Sequence, residues 1–365
     1  MILIHLLFYQ YNFIIYNVTN YYYALMMIKI RIHILKLLII FSILIISSLS
    51  FFYILGCNNI KNENFIDESF GEYEIIGGCE TPGFSKEVFI NNYYAYITDG
   101  KWGIQVIDIS DKETPQIIGN VKTGWAWDTF IFNGYSYVAD YADGLLIIDL
   151  KDKENPKIIS KDNLLIEATS IYVKESFAYI THHQNKLLIF DISNARNPIL
   201  VGTCDNLGWL YDIYVNKDYG YVIFRSEDGS ENGLEIIDLG NKGSPFLIGS
   251  LITNDIINSI FVRGNYAYIV GGQGELTIID ISNKENPQVI AICETEDYAT
   301  DVFIKDDYAY VTDGKEGIKK IDISDNNNPY IMQSWSIPNY SSGVFVEGNY
   351  IYVANYKGLI ILEDK

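Results

Sequence analysis

Tyr94-Ala95-Tyr96-Ile97-Thr98-Asp99-Gly100-Lys101-Trp102-Gly103-Ile104-Gln105-Val106-Ile107-Asp108-Ile109-Ser110 decides the fold, because the rest of the chain repeats it. Its opening returns as Tyr135-Ser136-Tyr137, Phe177-Ala178-Tyr179, Tyr219-Gly220-Tyr221, Tyr266-Ala267-Tyr268, Tyr308-Ala309-Tyr310 and Tyr350-Ile351-Tyr352, spaced 41, 42, 42, 47, 42 and 42 residues apart. The aspartate recurs at Asp149, Asp191, Asp238, Asp280 and Asp322. Seven residues after each of the six comes a proline, at Pro115, Pro156, Pro198, Pro245, Pro287 and Pro329. Three markers in one register identify a repeat protein.

Each unit reads as four short strands. In the first these are Glu87 to Ile90, Tyr94 to Thr98, Ile104 to Ile109 and Gln116 to Val121, separated by Asn91-Asn92, Asp99-Gly100 and the turn before Pro115. Strand-like runs punctuated by Asn, Asp, Gly and Pro are hairpin grammar. Four strands in a period of this length make a propeller blade. No apolar period of 3.6 residues runs through the chain, which excludes a helical solenoid. The predicted fold class is therefore all-β: a seven-bladed β-propeller with four antiparallel strands per blade, spanning residues 73–365.

The ends of the repeat predict how the ring closes. The seventh unit stops at its third strand, Leu359-Ile360-Ile361-Leu362. Ahead of the first unit, Glu74-Ile75-Ile76-Gly77-Gly78-Cys79-Glu80-Thr81 reads like the fourth strand Gln288-Val289-Ile290-Ala291-Ile292-Cys293-Glu294-Thr295. Tyr73 to Glu80 is expected to pair with Leu359 to Leu362, completing the last blade and removing an open edge.

The strands Gly103-Ile104-Gln105-Val106-Ile107-Asp108-Ile109-Ser110 and Gly144-Leu145-Leu146-Ile147-Ile148-Asp149, with Ala95-Tyr96-Ile97-Thr98-Asp99, resemble the LVIVD-repeat family. The resemblance covers all seven units. It implies a propeller similar in architecture to WD-repeat proteins, and a place among exported or cell-surface proteins of bacteria and archaea. It implies no reaction.

The N-terminal region reads as an address rather than as part of the fold. Lys29, Arg31 and Lys36 precede an uncharged run from Leu37 to Leu55, and Ile54-Leu55-Gly56-Cys57 follows the layout of a bacterial lipobox. Residues 27–56 are expected to be a lipoprotein signal peptide, with Cys57 the lipidation site. An uncleaved membrane anchor is the alternative. Residues 1–26 have no part in such a signal and read as an upstream extension of the true start. Residues 57–72, beginning Cys57-Asn58-Asn59-Ile60-Lys61, read as a flexible tether. The expected location is exported, lipid-anchored at a membrane or the cell surface, with the membrane reached only through this anchor.

The formal charge is −20, and residues 1–56 contain no acid, so the whole acidic excess lies beyond Gly56. That surface repels phosphates and argues against nucleic acid as a partner. Cys79, Cys204 and Cys293 occupy one equivalent position in three non-neighbouring units and are expected to be packed free thiols.

An aspartate present in almost every blade is read as a turn-capping residue. Functional candidates are the variable positions at one end of the channel. Phe84, Trp125, Trp209, Tyr298 and Tyr340 share one loop position, three residues before Glu87, Asp128, Asp212, Asp301 and Gly343. Trp127 and Tyr211 stand beside them, and Asp99, Asp140, Asp313 and Asn355 are expected on neighbouring loops of the same face. The ligand-binding set is Phe84, Trp125, Trp127, Asp128, Trp209, Tyr211, Asp212, Tyr298, Asp301 and Tyr340, because aromatic and acidic side chains together suit sugar or protein recognition. In the other reading these rings wedge between blades and the acids cap turns. His182-His183 has no further histidine to complete a metal or nucleophile site. Asp228, Ser230 and Asn232 alternate like half a calcium loop without its closing glutamate. Gly271-Gly272-Gln273-Gly274 has no helix after it to face an anion. The expected function is a monomeric, non-enzymatic binding or scaffold module for a protein or glycan. The alternative is a polysaccharide hydrolase or lyase with carboxylates at the channel mouth.

Overall fold

The computed structural model describes residues 75–162, 167–253, 255–272 and 274–364. Cys57, the signal 27–56, the tether 57–72, the extension 1–26 and the pairing of Tyr73 and Glu74 lie outside them. Seven sheets of four antiparallel strands follow one another, six of them simple meanders. Blade 2, for instance, comprises Ala126–Phe132, Tyr135–Asp140, Gly144–Asp149 and Lys157–Asp162, from the channel outward. In each blade the loop entering the inner strand and the turn between the second and third strands lie on one face, here the upper face. The other two turns lie on the lower face.

The core sits between blades. Tyr96, Ile104 and Val106 of blade 1 pack on Ala126, Val138, Leu146 and Ile148 of blade 2, and comparable clusters repeat around the ring. Because the third strand is covered on both sides, Leu145-Leu146-Ile147-Ile148 is fully buried and reads as an unbroken apolar run. Each such side chain stabilises the fold by about 2 kcal/mol. The second tyrosine of every Tyr-x-Tyr pair, from Tyr96 to Tyr352, is buried in these clusters.

Ring closure is as expected. The first strand, Ile75–Ser85, runs antiparallel to Tyr356–Glu363, with Ile75 opposite Leu362, Gly78 opposite Ile360 and Cys79 opposite Leu359. The pairing extends beyond Glu80, as far as Ser85 opposite Tyr356. Cys79, Cys204 and Cys293 are buried thiols, packed as expected. The repeated aspartates cap turns: Asp108, Asp149, Asp191, Asp238, Asp280 and Asp322 each accept the backbone N–H two residues on, at 2.8–3.0 Å.

Candidate functional site

Alternate residues of the seven inner strands face the channel, and they build it in layers. One layer holds Phe89, Phe130, Tyr172, Tyr214, Phe261, Phe303 and Phe345, one ring per blade. Successive centroids are 5.2, 5.0, 4.9, 4.8, 5.5 and 4.7 Å apart, and Phe345 returns to Phe89 at 5.3 Å. The circle is complete, with tilted contacts of the kind aromatic rings prefer. The layer narrows the channel with the chain's own side chains.

Two residues earlier on each strand stand Glu87, Asp128, Ser170, Asp212, Ser259, Asp301 and Gly343. With Lys86 and most of the rings below, all of these except Gly343 line a cavity of about 180 Å³ that opens on the upper face. Three of the acids staple blade to blade. Asp128 accepts the Ile171 N–H of blade 3 at 2.8 Å, Asp212 accepts Ile260 N–H of blade 5 at 2.9 Å, and Asp301 accepts Val344 N–H of blade 7 at 2.8 Å. Ser259 donates to Asp301 at 2.8 Å. Ser170 Oγ lies 2.7 Å from Asp128 Oδ2 and 2.8 Å from Asp212 Oδ1. One hydroxyl carries one proton, so the two carboxylates compete for it. Burial, and then the charge of Asp128, push Asp212 up to about 6 against the opposing hydrogen bonds from Ile260 and Ser170. Burial likewise raises Asp301, opposed by its hydrogen bond from Val344.

Glu87 differs. Its one ion pair is with Lys86, at 3.3 Å, and a quarter of its side chain is accessible (25%). Burial pushes it well above the carboxylate range, Lys86 opposes, and the charges of Asp301, Asp128 and Asp212 add. Gly343 leaves room for it, since a Cβ there would stand 3.0 Å from Glu87 Oε2. Among the described residues no three His, Cys, Asp or Glu side chains gather as a metal-binding group.

Around the cavity the upper face is lined with rings. Trp127 packs on Tyr141 at 6.0 Å, Tyr141 on His183 at 6.5 Å, and His183 on Trp209 at 5.1 Å and Tyr211 at 5.7 Å. Lys86 stands 4.9 Å over Trp127. Across the mouth, Phe84 meets Tyr356 at 3.9 Å and Tyr356 meets Tyr340 at 4.7 Å. Tyr298 donates to Asn258 at 2.9 Å. Trp125 is the most exposed tryptophan, at 42%.

Two placements differ from the sequence expectation. Trp127, Trp209 and Tyr211 are on inner strands, not loops. The cause is a bulge at the top of five inner strands, between Ala126 and Asp128, Ala168 and Ser170, Leu210 and Asp212, Ile257 and Ser259, and Ala299 and Asp301. Trp127 and Tyr211 are the extra residues, re-aimed as bulges do. The second difference concerns Asp99, Asp140 and Asp313, which are fully buried. They hold the incoming loops: Asp140 accepts Trp125 N–H at 2.8 Å, Asp99 accepts Gly83 N–H at 2.9 Å, and Asp313 accepts Glu296 N–H at 2.9 Å. They position the aromatic loop residues and face no ligand themselves. Asp228 accepts from Ser226 and Ser230 within its own turn. Glu87, Lys86, Tyr141 and His183 belong to the site although sequence reasoning did not select them. Glu87 and Lys86 were legible as breaks in their columns.

Fold and channel define a closed seven-bladed β-propeller. The LVIVD repeat model matches residues 82–123, 124–161, 167–206, 208–253, 257–295, 297–336 and 338–363. The chain belongs to the LVIVD-repeat family. Among solved structures it is similar to the computationally designed Ika8 protein, with a TM-score of 0.57 and 8% identity over 76% of this chain and 83% of that one, a likeness of fold alone. No curated protein matches the chain.

Proposed function

We propose that this propeller is a non-enzymatic binding module, held at a membrane or the cell surface through Cys57, that takes a protein or glycan on its upper face. The observation that carries this reading is an aromatic rim around an acidic cavity. Trp125, Phe84 and Tyr298 remain exposed around it. Exposed aromatic surface beside polar groups is the usual chemistry of an interaction site. The staples argue against acid–base catalysis, because Asp128, Asp212 and Asp301 already accept backbone N–H groups. Glu87 is the acid left to meet a ligand, and Lys86 beside it gives the mouth both signs of charge.

A glycan array and a surface pull-down with the Asn64–Lys365 fragment test this. Binding lost in Trp125→Ala with the fold intact supports the reading, and a ligand that binds this variant unchanged overturns it. Radiolabelled palmitate incorporation into Cys57→Ser separately tests the anchor: labelling should vanish, and its persistence would leave the plain membrane anchor standing.

A further inference from the structure

The lower face offers an internal comparison, because one junction lacks what its siblings contain. Four residues after the turn aspartate the repeat has Lys112, Lys153, Ala195, Lys242, Lys284 and Asn326. Each lysine lies over the aromatic pair of the preceding blade. Lys112 is 4.7 Å from the Tyr350 ring, Lys153 is 5.5 Å from Tyr94, Lys242 is 6.0 Å from Phe177 and Lys284 is 5.5 Å from Tyr219. The ammonium also caps a carbonyl of its own turn: Lys153 donates to Leu150 at 2.7 Å, Lys242 to Leu239 at 2.6 Å, and Lys284 to Ile281. Asn326 meets Tyr268 by a hydrogen bond of 2.9 Å, and at the last junction Lys320 stands 4.3 Å over Tyr308. Of these six loop positions only Ala195 brings no polar side chain to the rings. Between blades 2 and 3, where Ala195 stands, there is a cavity of about 340 Å³ lined by Tyr135, Tyr137, Glu175, Ile192, Ala195 and Arg196, among others.

A second position varies with the first. Where the turn has lysine, the preceding blade has glycine on its outer strand. A Cβ on Gly77, Gly119, Gly202 or Gly249 would stand within 2.1 Å of the carbonyl oxygen of Lys112, Lys153, Lys242 or Lys284. Opposite Ala195 the equivalent residue is Ser160. The blade 2–3 junction has thus departed from the lysine arrangement on both sides, yet it keeps the tyrosine pair, with Lys151 5.7 Å from Tyr135 on the same blade and Arg196 on the cavity wall.

We infer that this cavity is a seat for a lysine side chain presented by a partner protein. The ring faces, the Ile192 carbonyl and the Glu175 carboxylate together offer what an ammonium needs. The chain itself places a lysine in four equivalent seats, which identifies the chemistry the geometry accepts. The acidic excess beyond Gly56 attracts a basic partner. This inference stands independently of the upper-face reading, since the two sites lie on opposite faces.

The probe is N-acetyl-lysine methylamide, with its norleucine counterpart as neutral control, in equilibrium dialysis against the full chain in detergent. One equivalent of the lysine compound should bind, with at least tenfold preference over norleucine. Ala195→Lys, and Ser160→Gly/Ala195→Lys, should lower that affinity tenfold or more and raise the melting temperature, because the chain then fills its own seat. Equal binding of norleucine, binding that persists in both variants, or a double variant that melts lower than the parent would each overturn the proposal.

Discussion

The two faces of the propeller are built from the same blades and obey different rules. On the lower face six aspartates make one hydrogen bond six times, and any one of them could be exchanged for another. At the upper mouth the blades present Glu87, Asp128, Ser170, Asp212, Ser259, Asp301 and Gly343, and no two neighbours match. Between them lies the aromatic layer, uniform in character in all seven blades. In a repeat protein uniformity marks what every junction needs, and departure from it marks a place released from that need. Asp128, Asp212 and Asp301 qualify the lesson, since a variable residue can still be a staple.

One truncation and four substitutions would break or sharpen the contrast. The largest effect belongs to the uniform part. Removing residues through Ser85 strips the last blade of its outer strand and should cost about 5 kcal/mol or more in urea denaturation; a truncated chain as stable as the parent would mean that the ring closes without it. Phe130→Ala opens the aromatic circle at two contacts and should cost about 3–5 kcal/mol. Loss of much less would show the circle to be dispensable.

At the variable mouth the effects should move from folding to binding. Trp125→Ala is expected to weaken any upper-face ligand by about 1–3 kcal/mol while shifting stability by less than about 0.5 kcal/mol. Trp209→Ala should also cost about 1 kcal/mol of stability, because its ring packs on His183. If Trp125→Ala instead destabilises the domain severely, that ring is a wedge.

The smallest effect is electrostatic. Glu87, Asp212 and Asp301 all have folded pKa values raised above the ordinary carboxylate, Asp212 to about 6. Their contribution is fully present below about pH 4 and is lost as pH rises through the folded values. Stability contributed by this ring should therefore be greater at pH 5 than at pH 8. Glu87→Gln should flatten that slope and raise stability at pH 8. A slope unchanged by the substitution would remove Glu87 from the account.

The fold was legible because periodicity averages over seven copies: Tyr-x-Tyr, the turn aspartate and its proline fix strands, blades and even the closing strand. The site was legible only as a column of residue types. Counting three residues from Trp125 to Asp128 gives no sign that a bulge intervenes, and the bulge turns Trp127 to the mouth and Asp128 into the channel. His183 was harder still, since its partners Tyr141, Trp209 and Tyr211 come from different strands and, in two cases, the next blade. Sequence distance carries no information about such contacts. The Asp99 column was visible and its role was not, because capping a neighbouring loop and facing a ligand require the same side chain.

The closing strand has a consequence for the order in which the molecule is made. Ile75–Ser85 leaves the ribosome before any blade, yet its partner Tyr356–Glu363 comes last. Until then the first strand has nothing to pair with, and the six inner junctions must form around an open circle. Contacts so distant along the chain are slow to find. A strand waiting that long is open to capture by the wrong neighbour. For the propeller the final step of folding is a clasp between its first and last strands.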